Sequence, residues 1–269
     1  MQISFIGGGN MAAAIIAGLK KNNFAMQDIL VIEIDTSKCQ QLETDYAVRT
    51  SQAIADISAS EVIILAVKPQ QLKALATLIA PYLTEQSVVS IAAGVRLNDL
   101  SRWLNGYATI IRCMPNTPAQ IQAGVSALVA MPSVSTAQIQ QTDAILSTVG
   151  KTLWLADEAK LDAVTAISGS GPAYVFYLIE ALQAAGIELG LSADESSLLS
   201  LHTFAGASQL AITSQVDVAT LRTQVTSKGG TTEQGLLSLE HANVKQAMIN
   251  AALAAAKKSS QLGDSLGSD

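Results

Sequence analysis

Gly7, Gly9 and Ala12 stand in the spacing G-x-G-x-x-A within the run Phe5-Ile6-Gly7-Gly8-Gly9-Asn10-Met11-Ala12. Where such a run joins a strand to a helix, it can hold the pyrophosphate of a dinucleotide. The first glycine permits a tight turn, the second lets the backbone approach the phosphates, and the small third residue keeps the helix against the strand. Ile6, Gly7, Gly8, Gly9, Asn10 and Met11 are therefore expected to line a cofactor site at a helix N-terminus, where free N–H groups and the helix dipole favour anions. About twenty residues on come Glu33 and Asp35, placed to accept hydrogen bonds from the adenosine ribose and to repel a 2′-phosphate. The plainer alternative is a solvated acidic turn. Lys38 would favour a phosphate instead, so both NADH and NADPH stay open as cofactors.

A second glycine pair, Gly229-Gly230-Thr231-Thr232, precedes an apparently helical Gln234–Leu239. Two glycines ahead of a helix can present backbone N–H groups to an anion. Thr231 and Gln234 also have capping-box spacing, which would make the segment a plain helix start. Elsewhere Cys39, Cys113, His202 and His241 are too scattered to form a metal site. No His–Asp or lysine constellation suggests strong acid–base catalysis.

The elements that must position these residues change in kind along the chain. Apolar runs at Ile3–Ile6, Ile29–Ile32, Val62–Val67, Val88–Ile91 and Thr109–Ile111 are separated by stretches long enough for helices. Continuous rather than alternating apolar runs suit strands covered on both faces. Val125–Ala130 and Thr152–Leu155 read as late strands, with a helix from about Ser135 between them. The fold class expected for residues 1–157 is α/β, a Rossmann-like, doubly wound, mostly parallel sheet. Residues 158–269 read as an all-helical domain. Leu178, Leu182, Ala185 and Leu189 share one helical face, Leu198, Leu201, Ala205 and Leu210 another, and a last helix is expected over Val244–Leu262. Helices this rich in alanine and this poor in charge suggest packing against a second copy, so a homodimer is expected.

Five further segments carry a resemblance to the pyrroline-5-carboxylate reductase family. They are Ala66-Val67-Lys68-Pro69, Ile91-Ala92-Ala93-Gly94-Val95, Arg112-Cys113-Met114-Pro115-Asn116-Thr117-Pro118, Ser168–Phe176, and Thr226-Ser227-Lys228-Gly229-Gly230-Thr231-Thr232-Glu233. With the glycine loop they span nearly the whole chain. The resemblance implies hydride transfer from NADPH or NADH to the C=N carbon of 1-pyrroline-5-carboxylate, giving L-proline. The first three segments follow strands, and ligands of open α/β sheets bind outside the strands' carboxyl ends. Ala66, Val67, Lys68, Pro69, Ala92, Ala93 and Gly94 are thus expected around the cofactor. Lys68 would reach its ribose or phosphate, or simply lie in solvent. Asn116 and Thr117 either face the nicotinamide or only shape a turn. Ser170 and Gly171 are expected near the active-site cleft, at a helix entry with Pro172 early in the helix; Tyr174 and Phe176 are expected in the core. The substrate carboxylate would be received by Ser227, Gly229, Gly230, Thr231 and Thr232. Thr232 matches the threonine that contacts the substrate, and is the candidate to hydrogen-bond the ring nitrogen. Lys228 replaces the family's usual proline and adds a cation there. The resemblance also allows larger rings of dimers.

Whole-chain properties narrow the field. A formal net charge of −6 over 269 residues argues against a nucleic-acid partner. The first residues lack the basic start of a signal peptide, no apolar run is long enough to span a bilayer, and two thiols without a disulfide pattern suit a reducing compartment. A cytoplasmic enzyme is expected. A β-hydroxyacid dehydrogenase would need a lysine on the helix after its glycine-rich segment, yet no lysine follows Gly171 until Lys228. A non-catalytic nucleotide sensor would keep Gly7–Ala12 without reason to keep Gly229–Thr232.

Overall fold

A computed structural model describes residues 1–268. Eight strands, β1 (Ile3–Ile6), β2 (Ile29–Ile32), β3 (Arg49–Ser51), β4 (Val62–Leu65), β5 (Ser87–Ser90), β6 (Ile110–Met114), β7 (Gly124–Ala130) and β8 (Gly150–Trp154), form one sheet in the order β3-β2-β1-β4-β5-β6-β7-β8. Every pairing is parallel except β6 with β7. The expected doubly wound, mostly parallel sheet is therefore present. β3 has no counterpart in the sequence reading, because Arg49-Thr50-Ser51 carries no apolar residue to mark it. It pairs with β2 at the sheet's edge.

The apolar runs are continuous because both faces of the sheet are covered. Ile3, Phe5, Val62 and Ile64 pack with Ile15, Ile16 and Leu19, while Ile6, Ile63 and Leu65 pack with Leu72, Ile79 and Leu100. These helical partners come from α1 (Asn10–Lys21), α3 (Pro69–Ile79) and α4 (Leu97–Trp103); α2 (Thr36–Tyr46) and α5 (Thr136–Leu146) add Leu42 and Leu146 to the first cluster. Ser135 and Gln138 form a capping box at the start of α5, as the helix expected from about Ser135 requires.

The chain divides into two compact units, Met1–Ser170 together with the segment from Ala254, and Gly171–Leu253. The first unit thus runs past residue 157. Leu161, on α6 (Lys160–Val164), is fully buried in the sheet's second core cluster. The far end of α11 (Val244–Gly267) returns to this unit through polar contacts: Ser259 donates to Asp162 at 2.6 Å, and Arg96 pairs with Asp264 at 2.7 Å.

The second unit is helical, as expected, built from α7 (Gly171–Glu188), α8 (Ala193–Thr213), α9 (Val218–Gln224), α10 (Thr231–His241) and the beginning of α11. Gly186 lets α7 and α8 approach, since a Cβ there would overlap the Ser196 hydroxyl, which itself donates to the Gln183 carbonyl at 2.6 Å. Two expectations change here. Phe176 is 60% exposed and Tyr174 only half-buried, so neither is a core residue of the single chain. Leu182, Leu189, Leu198 and Leu210 are exposed as well. α7 and α8 are long, and this one unit has too little interior to cover the broad apolar face of each.

The approach of β7 to β8 generates a stability prediction. Gly150 sits at φ +146°, and a Cβ there would overlap the Gly124 carbonyl. Gly106 also has positive φ but open space around it. Gly150→Ala is expected to cost about 2 kcal/mol or more, and Gly106→Ala about 1 kcal/mol. Urea unfolding at one protein concentration compares them; equal costs would show that backbone conformation, not strand approach, sets the price.

Candidate active site

The glycine loop leaves β1 beside the end of β4. Gly7 takes φ +98°, and a Cβ on it would stand 2.8 Å from the Ala66 carbonyl oxygen. Its N–H donates to Ile32 at 2.9 Å. The position therefore requires glycine for conformation and for space. Gly9 is different: it is the N-cap of α1 with ordinary φ −74° and ψ 178°, and nothing lies within 4 Å of where its Cβ would be. No side chain caps α1. An uncapped helix start with an empty approach at Gly9 fits a pyrophosphate, which would take the unpaired N–H groups.

Glu33 closes the adjacent corner. Its carboxylate accepts the N–H groups of Gly8 (2.9 Å), Ile34 (2.8 Å) and Asp35 (3.0 Å). Partial burial alone would raise this carboxyl. The backbone donors of Asp35, Gly8 and Ile34, with Lys38 nearby, outweigh it and hold it below the usual carboxylate range. Glu33 thus stays ionised beside the glycine loop. Asp35 serves as the N-cap of α2, accepting from Ser37 and Lys38, and is fully exposed.

Beyond the glycine loop lies a cleft of about 300 Å³ with three further walls. Ala66, Val67 and Pro69 form one wall, Ala92 and Ala93 the second, and Met114, Pro115, Asn116 and Thr117 the third, with Met11 and Gly169 completing the lining. Met11, Ala66, Val67, Pro69, Ala92, Ala93, Asn116 and Thr117 of the sequence-predicted cofactor residues are therefore brought together in this cleft. Others sit outside the cleft. Lys68 is exposed at the N-cap of α3. Gly94 has φ +82°, and a Cβ there would face Leu266 and Leu262 of α11. The Asn116 side chain is occupied in shaping the loop: it accepts the Val125 N–H at 2.9 Å and donates to Ser168 at 3.3 Å. Ser170 donates its N–H to Thr165 at 2.8 Å, just before Gly171 opens α7. A larger hollow of about 790 Å³ at the β3 edge has no glycine loop, and its Thr50–Glu43 and Ser51–Asp56 side chains bond to one another.

In the second unit the loop before α10 departs from the capping-box reading of its sequence. Gly230, not Thr231, is the N-cap, and no side chain caps the helix, so the Thr231–Gln234 capping box does not form. Glu233 instead reaches back to the Gly229 N–H at 2.7 Å, with Gly229 at φ +74°. The Gly230 N–H donates to Ser227 at 3.0 Å. Both glycine donors are thus engaged within the loop. The available donors are those of the first turn of α10, at Thr231 and Thr232, whose side chains are exposed. Ser227 and Lys228 are exposed on the same loop.

Comparison with known proteins assigns this architecture. A family model described as pyrroline-5-carboxylate reductase dimerisation matches residues 158–262, and one described as NADP oxidoreductase, coenzyme F420-dependent, matches residues 2–94. The pyrroline-5-carboxylate reductase of Pseudomonas aeruginosa is 44% identical over 269 residues, covering 99% of this chain and 98% of that one. The chain belongs to the pyrroline-5-carboxylate reductase family. Among solved structures, a pyrroline-5-carboxylate reductase from Coxiella burnetii superposes with a TM-score of 0.92 at 37% identity, covering 97% of this chain and 98% of that one. The Plasmodium falciparum pyrroline carboxylate reductase with NADP bound gives 0.87 at 28% identity, covering 98% of each.

The contrast between two glycines tests the cofactor loop. Gly9→Ala is expected to cost at most about 1 kcal/mol of stability, as a poorer cap, yet to weaken NADPH binding by about tenfold or more by filling the approach. Gly7→Ala is expected to destabilise the fold itself, by about 1–3 kcal/mol. Fluorescence titration with NADPH and thermal melting read the two effects separately; undiminished NADPH binding by Gly9→Ala would move the phosphates elsewhere.

Proposed function

We propose that this chain reduces 1-pyrroline-5-carboxylate to L-proline, using NADPH or NADH, as the last step of proline biosynthesis. The full-length similarity to the Pseudomonas aeruginosa reductase carries this reading. The cleft beside an uncapped glycine loop supports it. Bound there, the dihydronicotinamide supplies the hydride that reduces the C=N carbon. Ile6–Met11 hold the pyrophosphate, Glu33 meets the adenosine ribose, and Asp35 orders the turn beside it. The Ala66–Pro69, Ala92–Gly94 and Asn116–Thr117 loops give the nicotinamide a small-residue bed, and Lys68 lies in reach of ribose or phosphate.

The substrate carboxylate goes to the start of α10, where Thr231 and Thr232 offer backbone donors that Ser227, Gly229 and Gly230 hold in place, while Ser170 and Gly171 shape the entry to α7. Thr232 hydrogen-bonds the ring nitrogen, with water relaying the proton, because a threonine hydroxyl is a poor acid. A protonated imine is already electrophilic, so positioning can supply much of the catalysis. The exposed apolar faces of α7 and α8, and the dimerisation model matching this half, support a homodimer; a larger ring of dimers is what the family resemblance alone suggests. Among the described residues no helix is long and apolar enough to cross a membrane; the acidic charge and the two buried free thiols fit a cytoplasmic enzyme.

Cofactor choice is tested at Glu33. Both nucleotides are expected to work, and Glu33→Ser is expected to shift the ratio of kcat/KM toward NADPH by removing an ionised group that repels a 2′-phosphate. An unchanged ratio would leave Glu33 only the role of bracing Gly8.

Steady-state oxidation of NADPH by pyrroline-5-carboxylate tests the activity itself, and Thr232 tests the contact. Thr232→Ala is expected to lower kcat/KM for the imine by about ten- to a hundredfold, the loss of a hydrogen bond to a charged group, with NADPH affinity intact. Thr232→Ser should keep most activity. A Thr232→Ala enzyme with wild-type kcat/KM would remove the residue from the mechanism.

A further inference from the structure

The structure assigns to Glu158 a positioning role in this reaction: one carboxylate oxygen ties together two walls of the cofactor cleft. The assignment rests on the reading of the cleft given above. Glu158 Oε1 accepts the Leu97 N–H at 2.8 Å and Arg112 Nη1 at 2.8 Å. Leu97 opens α4 directly after the Ala92–Arg96 segment, so the first bond fixes where that loop ends. Arg112 lies on β6, and Met114, two residues on and on the same face of the strand, lines the cleft with Pro115, Asn116 and Thr117. The second bond fixes the strand that carries that wall.

The geometry is costly to hold by accident. The Arg112 side chain is 7% exposed and that of Glu158 24%. A guanidinium so buried depends on its partner, and removal of either charge strands the other. Glu158 also places a negative charge at the N-terminus of α4, whose own N-cap residue, Arg96, provides no side-chain cap. Its position is set from behind, because the Glu158 carbonyl accepts the Leu161 N–H at 3.0 Å while Leu161 is fully buried. Each link is rigid: a strand, a helix start and an anchored turn meet at a single oxygen.

Reach, rather than charge, is the property under test. E158D keeps the carboxylate but withdraws it by one methylene, so it cannot meet both donors. E158Q keeps an acceptor oxygen at full length. In the purified full-length protein, E158D is expected to lower kcat with NADPH and pyrroline-5-carboxylate by about tenfold or more, through a misplaced nicotinamide bed. The dissociation constant for NADPH should change by less than about threefold, since the pyrophosphate loop is untouched. E158Q keeps the acceptor oxygen but strands the Arg112 charge, so it is expected to lower the melting temperature while staying within about threefold of wild type in kcat. Hydrogen–deuterium exchange supplies a readout independent of turnover: peptides covering residues 92–97 and 112–117 should exchange faster in E158D, and not in E158Q, with the glycine loop unchanged. Wild-type kcat and exchange in E158D would overturn the assignment. So would equal effects in both variants that follow only their melting temperatures. A wild-type protein that binds NADPH but does not reduce the imine would sink the proposed function instead, and the exchange comparison would still decide the role of Glu158.

Discussion

Where β1 pairs with β4, two strands covered on both faces end side by side, and the chain leaving one must turn sharply away from the chain leaving the other. Gly7 makes this turn possible, with φ +98° and no side chain to meet the Ala66 carbonyl. From that seam α1 and α3 depart with their N-termini near one another, one preceded by Gly9 and the other by Lys68 and Pro69. The cleft is the space left between those departures. Ala66, Ala92 and Ala93 along its lining add little bulk to that space.

Charge is scarce in this chain, and several of its charged side chains stand at the joints between elements. Glu33 collects three backbone N–H groups at the end of β2. Asp35, Asp217 and Glu195 serve helix starts, and Arg112–Glu158 joins β6 to the start of α4. A polar group at an element's end satisfies donors that the element cannot satisfy itself. Groups committed in this way keep their positions without a ligand, which is the preorganisation that a reaction dependent on placement requires.

The helical unit follows a different logic. Its close approach at Gly186 uses small residues, while Phe176, Leu189 and Leu198 remain uncovered. Burying such side chains stabilises by about 1.5–3 kcal/mol each, so these faces have strong reason to find a partner surface. The loop before α10 belongs to this unit, and its shape comes from Glu233 holding Gly229 rather than from a side-chain cap.

Local chemistry in the sequence determined a great deal. Uninterrupted runs of Ile, Leu and Val marked β2 and β4 because a strand covered on both faces must be apolar at successive positions, and β1 breaks its apolar run only at Ser4, whose hydroxyl pairs with that of Ser60. The Gly7–Ala12 spacing marked the turn from β1 into α1, because small residues are what a tight strand-to-helix turn needs. A helix was legible from about Ser135, and the structure adds the capping box with Gln138 that fixes its start. What only the tertiary structure decided depends on residues far apart in the chain. β3 exists through its pairing with β2, Phe176 is exposed for want of a neighbour, and Gly94 answers to Leu262 and Leu266. Glu158 had no local signal at all. Its two partners lie 61 and 46 residues away, and a contact made by folding leaves no spacing in the sequence to read.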